Sequence, residues 1–161
     1  MGANMSSRLF EEVREKRGLA YEVRSSCGFY QDAGYVSISA GVEATKAPKA
    51  IEVILRELDK VAKKGVRSGE LSRAKDYFMS QLCMALEDTL DHLLWVGERV
   101  IDGGEVPDRA KIRERVMAVT EKDILAIARK IFASQYLNLA LIGPVPPETQ
   151  KQISRNFSLT R

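Results

Sequence analysis

The chain has 161 residues, 45% hydrophobic and 29% charged, which suffices for one domain with a real core and excludes disordered and fibrous classes. Its net charge is +3, with basic and acidic residues interleaved in stretches such as EEVREKR and KIRERV. Such stretches are solvated helix faces, unlike the single-signed stripe with aromatics of a nucleic-acid binder. No apolar run reaches the roughly 18 residues that cross a bilayer.

The pattern from Met5 to Tyr21, MSSRLFEEVREKRGLAY, predicts a short charged helix with Leu9, Phe10 and Val13 on one side, a stop at Gly18 and then a strand. Ser6 or Ser7 is expected to cap its start, Lys16 and Arg17 suit its C-terminal dipole, and Gly18 can adopt the left-handed conformation that ends it. Arg14 and Tyr21 then lie near one corner. A guanidinium fork and a phenol there could grip a peptide carbonyl or carboxylate. The alternative is structural: Arg14 as a solvated helix charge and Tyr21 as a half-buried strand residue.

From Leu19 to Tyr30 the residues Leu19, Tyr21, Val23, Cys27 and Phe29 alternate with polar ones, which predicts a strand with that set on its buried face. Gln31 to Gly34 reads as a turn, and Val36, Ile38, Ala40 and Val42 share one face of a second strand. The two make an antiparallel hairpin. Thr45 and Pro48 open a helix in which Ile51, Ile54, Leu55, Leu58, Val61 and Ala62 recur at helical spacing before Gly65 stops it, and this helix is expected to lie across the hairpin.

Ser68 starts a longer helix with Leu71, Ala74, Phe78, Leu82 and Ala85 as its expected buried stripe. Asp88-Thr89 interrupts it. A further helix through Leu93, Leu94, Val96 and Val100 ends at Asp102-Gly103-Gly104, and Pro107-Asp108 restart one through Ile112 and Val116. Thr120 and Asp123 have capping spacing for the next, with Ile124, Ile127, Ala128, Ile131 and Phe132 inward. Leu137 to Ile142 reads as a central strand, and Pro144, Pro146 and Pro147 mark a domain edge. Residues 1–146 are thus one domain and residues 147–161 a tail, either one or two docked helical turns or mobile. The fold class is α+β, an antiparallel or mixed sheet with helices on one face.

The chemistry is sparse. Cys27 and Cys83 are far apart and expected to be buried free thiols. His92, in LDHLLW, is the single histidine, so the two imidazoles and glutamate of a hydrolytic His-x-x-Glu-His site are not available, and His92 reads as a helix residue beside an apolar stripe. No Gly-x-Ser-x-Gly elbow, phosphate-cradling loop or Cys-x-x-Cys pair occurs. By itself the chain is expected to be catalytically silent, with no catalytic residue, no metal ligand and no cofactor of its own.

The run GANMSSRLFEEVREKRGLAY resembles the segment that M16 zinc metallopeptidases (the pitrilysin, insulin-degrading enzyme and mitochondrial processing peptidase family) carry in the second, inactive member of their paired homologous domains. Its pattern, Gly-x-x-Met-Ser-Ser-Arg-Leu-Phe followed by Arg-Glu-Lys-Arg-Gly-Leu-Ala-Tyr, is matched nearly throughout. Further similarity lies in GVRSGELSRAKDYFMSQLCMALED, DGGEVPDRAKIRERVMAVTEKDILAIARKIF and LNLALIGPV, covering most of the chain.

The resemblance implies an α/β roll and a zinc peptidase in which the metal and base belong to a His-x-x-Glu-His partner domain, fused or separate, facing this one across a closed chamber. It implies that Arg14 and Tyr21, seven positions apart, contact the peptide substrate near the scissile bond without touching the metal. It also implies a further strand and most of a first helix ahead of the Gly2 position; without them a sheet edge is exposed, and self-association through that edge is expected. Two alternatives stand beside this reading: a catalytically inactive scaffold or assembly subunit of the same family, and, from another class, a ferredoxin-like nucleic-acid binder. The second requires basic residues gathered on the sheet face, whereas Arg8 and Arg24 are dispersed. Neither a nucleic-acid nor a membrane partner is expected. A soluble, cytoplasmic protein is the default, and an export signal upstream of Met1 is the alternative.

Overall fold

The computed structural model describes residues 1–2, 4–101, 104, 106 and 108–157. They form β1 (Ala20–Phe29), β2 (Gly34–Val42), α1 (Ala47–Lys64), α2 (Ser68–Ala85), α3 (Thr89–Ile101), α4 (Arg109–Ala118), α5 (Glu121–Ile131) and α6 (Pro147–Asn156), with a π-helical turn at Phe10–Glu15 ahead of β1. The class is α+β. The chain divides into two compact units, residues 1–64 with 126–161, and residues 65–125.

The first unit is built on the hairpin. β1 and β2 pair antiparallel, and the turn closes with the Tyr30 N–H donating to the Ala33 carbonyl at 2.8 Å. One irregularity interrupts the ladder: Ala20 pairs with Val42 and Glu22 with Gly41, so Tyr21 is the extra residue of a bulge. The bulge changes the phase of the strand, because an inserted residue lets positions three apart share a face. Ala20 and Val23 are therefore both buried, while Tyr21 between them is 86% exposed.

The predicted inward set of β1 is corrected on this point and on a second. Cys27 and Phe29 follow Val23 on the odd-numbered positions but lie near the hairpin tip, beyond the core residues, and are exposed. Cys27 and Cys83 are both exposed free thiols, not buried ones.

α1 lies across the hairpin, as the spacing predicts. Val53 joins Leu9, Val13, Ala20 and Val23 in one core cluster, with Ile38, Ala40, Val42 and Ile54 packed around it. A neighbouring cluster centres on Leu55 and Leu58 and takes in Met1, Ile38, Phe132, Leu137 and Phe157. Gly65 follows α1 with φ +71°, a conformation that suits a residue without a Cβ. α6 packs against α1, so the described part of the segment after Pro146 is a docked helix with Ile153 buried.

The predicted strand at Leu137–Ile142 is not formed. Among the described residues the sheet has two strands, and this segment, whose Ile142 is fully exposed, has no strand beside it. An apolar run becomes a strand only where a neighbour supplies hydrogen bonds, and local composition cannot supply that neighbour.

In the second unit α2 and α4 meet, with Lys75 Nζ donating to the Met117 carbonyl at 2.7 Å and Arg109 to the Leu86 carbonyl at 3.3 Å. Asp88 caps α3 by accepting from the Leu90 and Asp91 N–H groups, and Asp108 caps α4 by accepting from Ala110. Thr120 and Asp123 form the expected reciprocal cap of α5. The expected buried stripe of α2 is corrected: Leu71 and Leu82 are half-buried, but Ala74, Phe78 and Ala85 are exposed. Ile127 of α5 is likewise 48% exposed. The expected α3 stop at Asp102-Gly103 and the Pro107 restart lie outside the described residues. No helix among the described residues is long and apolar enough to cross a membrane.

Candidate functional site

The corner between the π-helical turn and β1 is assembled from both of its ends. At the start, Gly2 runs against the outer edge of β1: its carbonyl accepts from the Ser25 N–H at 3.1 Å and its N–H donates to Ser25 Oγ at 2.9 Å. A Cβ on Gly2 would sit 2.9 Å from the Ser25 nitrogen, so only glycine fits there without a backbone shift. No serine side chain caps the turn, contrary to expectation. The Ser7 carbonyl accepts from the Glu11 N–H instead, and Ser7 Oγ is buried without a hydrogen bond among the described residues.

At the other end Gly18 has φ +56°, which an L side chain adopts only with strain. That conformation lets the Gly18 N–H reach the Arg14 carbonyl and the Leu19 N–H the Val13 carbonyl, both at 2.9 Å. The helix ends there and β1 begins two residues later. Beneath the turn, buried Glu57 of α1 accepts from Lys60 Nζ at 2.6 Å and faces Arg8 at 3.9 Å, an ionic tie between α1 and the segment entering the turn.

This framework brings Arg14 and Tyr21 together. The Arg14 guanidinium carbon lies 5.7 Å from the centre of the Tyr21 ring and 4.8 Å from that of Phe10. A cation held over ring faces spends none of its N–H groups on a conventional acceptor, so the guanidinium can still donate. Phe10 is the residue that sequence reasoning missed, having assigned it only to an apolar face; its spacing of four from Arg14 on a helix was the available signal.

Carboxylates are engaged elsewhere. Lys16 contacts Glu11 and Glu12, each at 2.7 Å, and Arg17 contacts Glu12 at 2.6 Å. The hydrogen bond from Lys16, then that from Arg17, holds the Glu12 carboxyl well below the usual range, at about 2. The same turn therefore neutralises Lys16 and Arg17, while Arg14 has no carboxylate partner among the described residues. The Tyr21 hydroxyl is also without a hydrogen bond among them, and Tyr21 lines a recess of about 490 Å³ together with Gly18, Gly41, Glu43 and Lys46. The arrangement is a charged donor and a neutral donor side by side, held by aromatic stacking and open to solvent.

The described residues do not form a zinc site. His92 is the sole imidazole of the sequence and its ring lies tilted beside that of Trp95, centres 6.1 Å apart, and no three His, Cys, Asp or Glu side chains converge as metal ligands among the described residues.

Residues 1–78 match the family model described as the peptidase M16 inactive domain. An uncharacterized zinc protease of Streptomyces coelicolor is 35% identical over 155 residues, 96% of this chain and 33% of that protein. The uncharacterized zinc protease YmxG of Bacillus subtilis is 33% identical over 144 residues, 89% of this chain and 35% of that protein. The chain thus spans about a third of the length of the curated relatives it matches. Among solved structures, the peptidase M16 inactive domain from Pseudomonas fluorescens superposes with a TM-score of 0.65 at 22% identity, over 81% of this chain and 31% of that one. A protease from Helicobacter pylori gives a TM-score of 0.68 at 20% identity, over 82% of this chain and 32% of that one. Sequence and fold together identify the chain as a member of the M16 peptidase family, of the type described as its inactive domain.

Proposed function

We propose that the chain is the substrate-binding, non-catalytic half of an M16 zinc peptidase, with Arg14 and Tyr21 gripping the peptide beside the bond that is cut. The observation carrying this reading is the stacked Arg14–Tyr21 pair, whose donors have no internal partner among the described residues. A homologous His-x-x-Glu-His domain, fused or separate, supplies the zinc and the water activation. The residues of this chain bind and orient. The Arg14 fork offers charge and two parallel N–H groups to a carbonyl or carboxylate oxygen, and the Tyr21 hydroxyl adds a neutral donor from the same side. Donors aimed at an oxygen that gains negative charge each contribute a factor of roughly 10² to 10³ in other hydrolases. We further propose that residues 1–146 act as the substrate-binding domain, and that the bare chain self-associates through the open outer edge of β2.

The test is to mix the chain with a separately produced His-x-x-Glu-His domain and follow zinc-dependent peptide cleavage for wild type, Arg14→Ala and Tyr21→Phe. Activity that appears only on mixing and falls in both variants is the expected result. Full activity in both variants would make the pair structural. No activity in any mixture of folded chains would favour the scaffold reading.

A further inference from the structure

The hairpin strands carry three glycines, and the structure accounts for two of them. A Cβ on Gly28 would overlap the Tyr35 ring, and one on Gly34, at the turn, would meet the Gly28 carbonyl at 3.1 Å. Gly41 is different. A Cβ there would meet no atom within 4 Å, and its φ lies outside the left-handed region, so neither crowding nor backbone conformation calls for glycine. The adjacent bulge does not call for it either, because the extra residue, Tyr21, is on β1. Glycine inside a strand weakens it, and where no internal cause exists it marks a place that another group approaches closely.

Ala40 and Val42 on either side of Gly41 pack against the core, so Gly41 faces outward, into the recess of about 490 Å³ that it lines with Tyr21. Leu19 and Val42 give the recess an apolar lining. Gly18, where a Cβ would also meet nothing within 4 Å, adds a second stretch of bare backbone. The charges at its margin cancel: Glu43 accepts from Thr45 Oγ1 at 2.9 Å and faces Lys46 Nζ at 3.3 Å. Those contacts, the hydrogen bond from Thr45 first, hold the Glu43 carboxyl below its usual range, so the Glu43–Lys46 pair is ionised and neutral as a whole at neutral pH. A charged guest is opposed by one member of that pair, and a cationic one also by Arg14, which stacks on the same Tyr21 ring.

We propose that Gly41 is a specificity-determining position, whose missing side chain keeps the recess open for an aromatic side chain of the peptide close to the carbonyl that Arg14 and Tyr21 hold. The proposal rests on the reading of that pair as the substrate grip. An extended peptide advances roughly 3.3 Å per residue, so a chain gripped at Tyr21 presents the side chain of a neighbouring residue to a recess that Tyr21 itself lines. An aromatic ring suits the recess in shape, charge and size. It is flat, as bare glycine backbone requires, it is uncharged, and it buries roughly 150–250 Å² while packing offset or edge to face against Tyr21. A methyl side chain leaves most of the space unfilled.

The experiment is an NMR titration of the isotope-labelled 161-residue chain with acetyl-Ser-Ala-Phe-Ala-Ser-amide and with the same peptide carrying Ala at its centre, read at the amides of residues 18–21 and 41–46. The proteins are wild type, Gly41→Leu, Gly41→Ala and Arg14→Ala. Wild type should bind the Phe peptide at least about tenfold more tightly than the Ala peptide. Gly41→Leu, which fills the recess, should reduce that preference to about twofold or less and leave the Ala peptide's Kd as it was, with Gly41→Ala between the two. Because its added carbon meets nothing, Gly41→Ala should also melt no lower than wild type; if Gly41→Leu does not fold, the preference of Gly41→Ala decides. No preference in wild type, a preference unchanged in the folded Gly41 variants, or a Gly41→Ala chain that melts well below wild type would overturn the proposal. Arg14→Ala separates the two ideas. If it weakens both peptides equally while the preference ignores Gly41, the recess is overturned and the grip stands. If it weakens neither, the grip is overturned, and with it the placement of the recess on the path of the peptide.

Discussion

Residues 1–64 and residues 65–125 are built from the same ingredients, apolar positions at regular spacing with caps and glycines at the ends, yet their interiors differ. In the first stretch Leu9, Val13 and Val53 are wholly sealed from solvent. In the second, Leu86 is the buried hydrophobic side chain among the described residues, and Phe78, Leu90, Leu93 and Leu94 are half or more exposed. The difference lies in partners. A hairpin face and a helix face oppose each other in residues 1–64, so periodicity becomes a core; the stripes of α2 and α3 have no comparable cover within residues 65–125.

Substitutions sharpen that contrast. Leu9→Ala should destabilise the chain by about 2–5 kcal/mol in chemical denaturation, because the sealed cluster cannot collapse fully around the lost methyls. Gly18→Ala should cost about 1–2 kcal/mol, since alanine must take the left-handed conformation that ends the turn. It should also loosen the Arg14–Tyr21 corner, read as lower cleavage in the mixed peptidase.

Glu12→Gln should cost at most about 1 kcal/mol at neutral pH, because its partners are largely solvated. The carboxyl is held below its unfolded value, so its contribution is complete above the ordinary carboxylate range and is lost as pH falls from there toward about 2. The gap between wild type and Glu12→Gln should therefore close on acidification; a constant gap would mean that the contacts with Lys16 and Arg17 contribute nothing. Smallest of all, Phe78→Ala should shift stability by no more than about 0.5 kcal/mol. A loss as large as that of Leu9→Ala would break the contrast between the two stretches.

The parts legible in the sequence are those whose cause is local or lies in an adjacent element: the Gly18 stop, the hairpin turn at residues 31–34, the spacing of α1 and the Thr120–Asp123 cap. Tyr21 shows where that reading ends. Strict alternation puts it with Val23 on the inner face, but the bulge is a property of the register against Gly41 and Val42, and it turns the ring outward. Cys27 and Phe29 keep their alternation and are exposed because cover is lost toward the hairpin tip. Leu137–Ile142 has the composition of a central strand and lacks the neighbour that would make it one. At the site, the nearness of Arg14 and Tyr21 followed from a helix, a glycine and a strand in close succession. The stacking on Phe10 and the diversion of Glu11 and Glu12 to Lys16 and Arg17 required side-chain positions.

The central claim is that Arg14 and Tyr21 act together on bound peptide, and a double-mutant cycle in the mixed peptidase tests it most directly. Measuring kcat/KM for wild type, Arg14→Ala, Tyr21→Phe and the double variant should give losses of about 10² or more for each single change. The double variant should lose clearly less than the product of the two, because both donors serve one oxygen. Single variants equal to wild type, or fully multiplicative losses, would contradict a shared grip on the substrate.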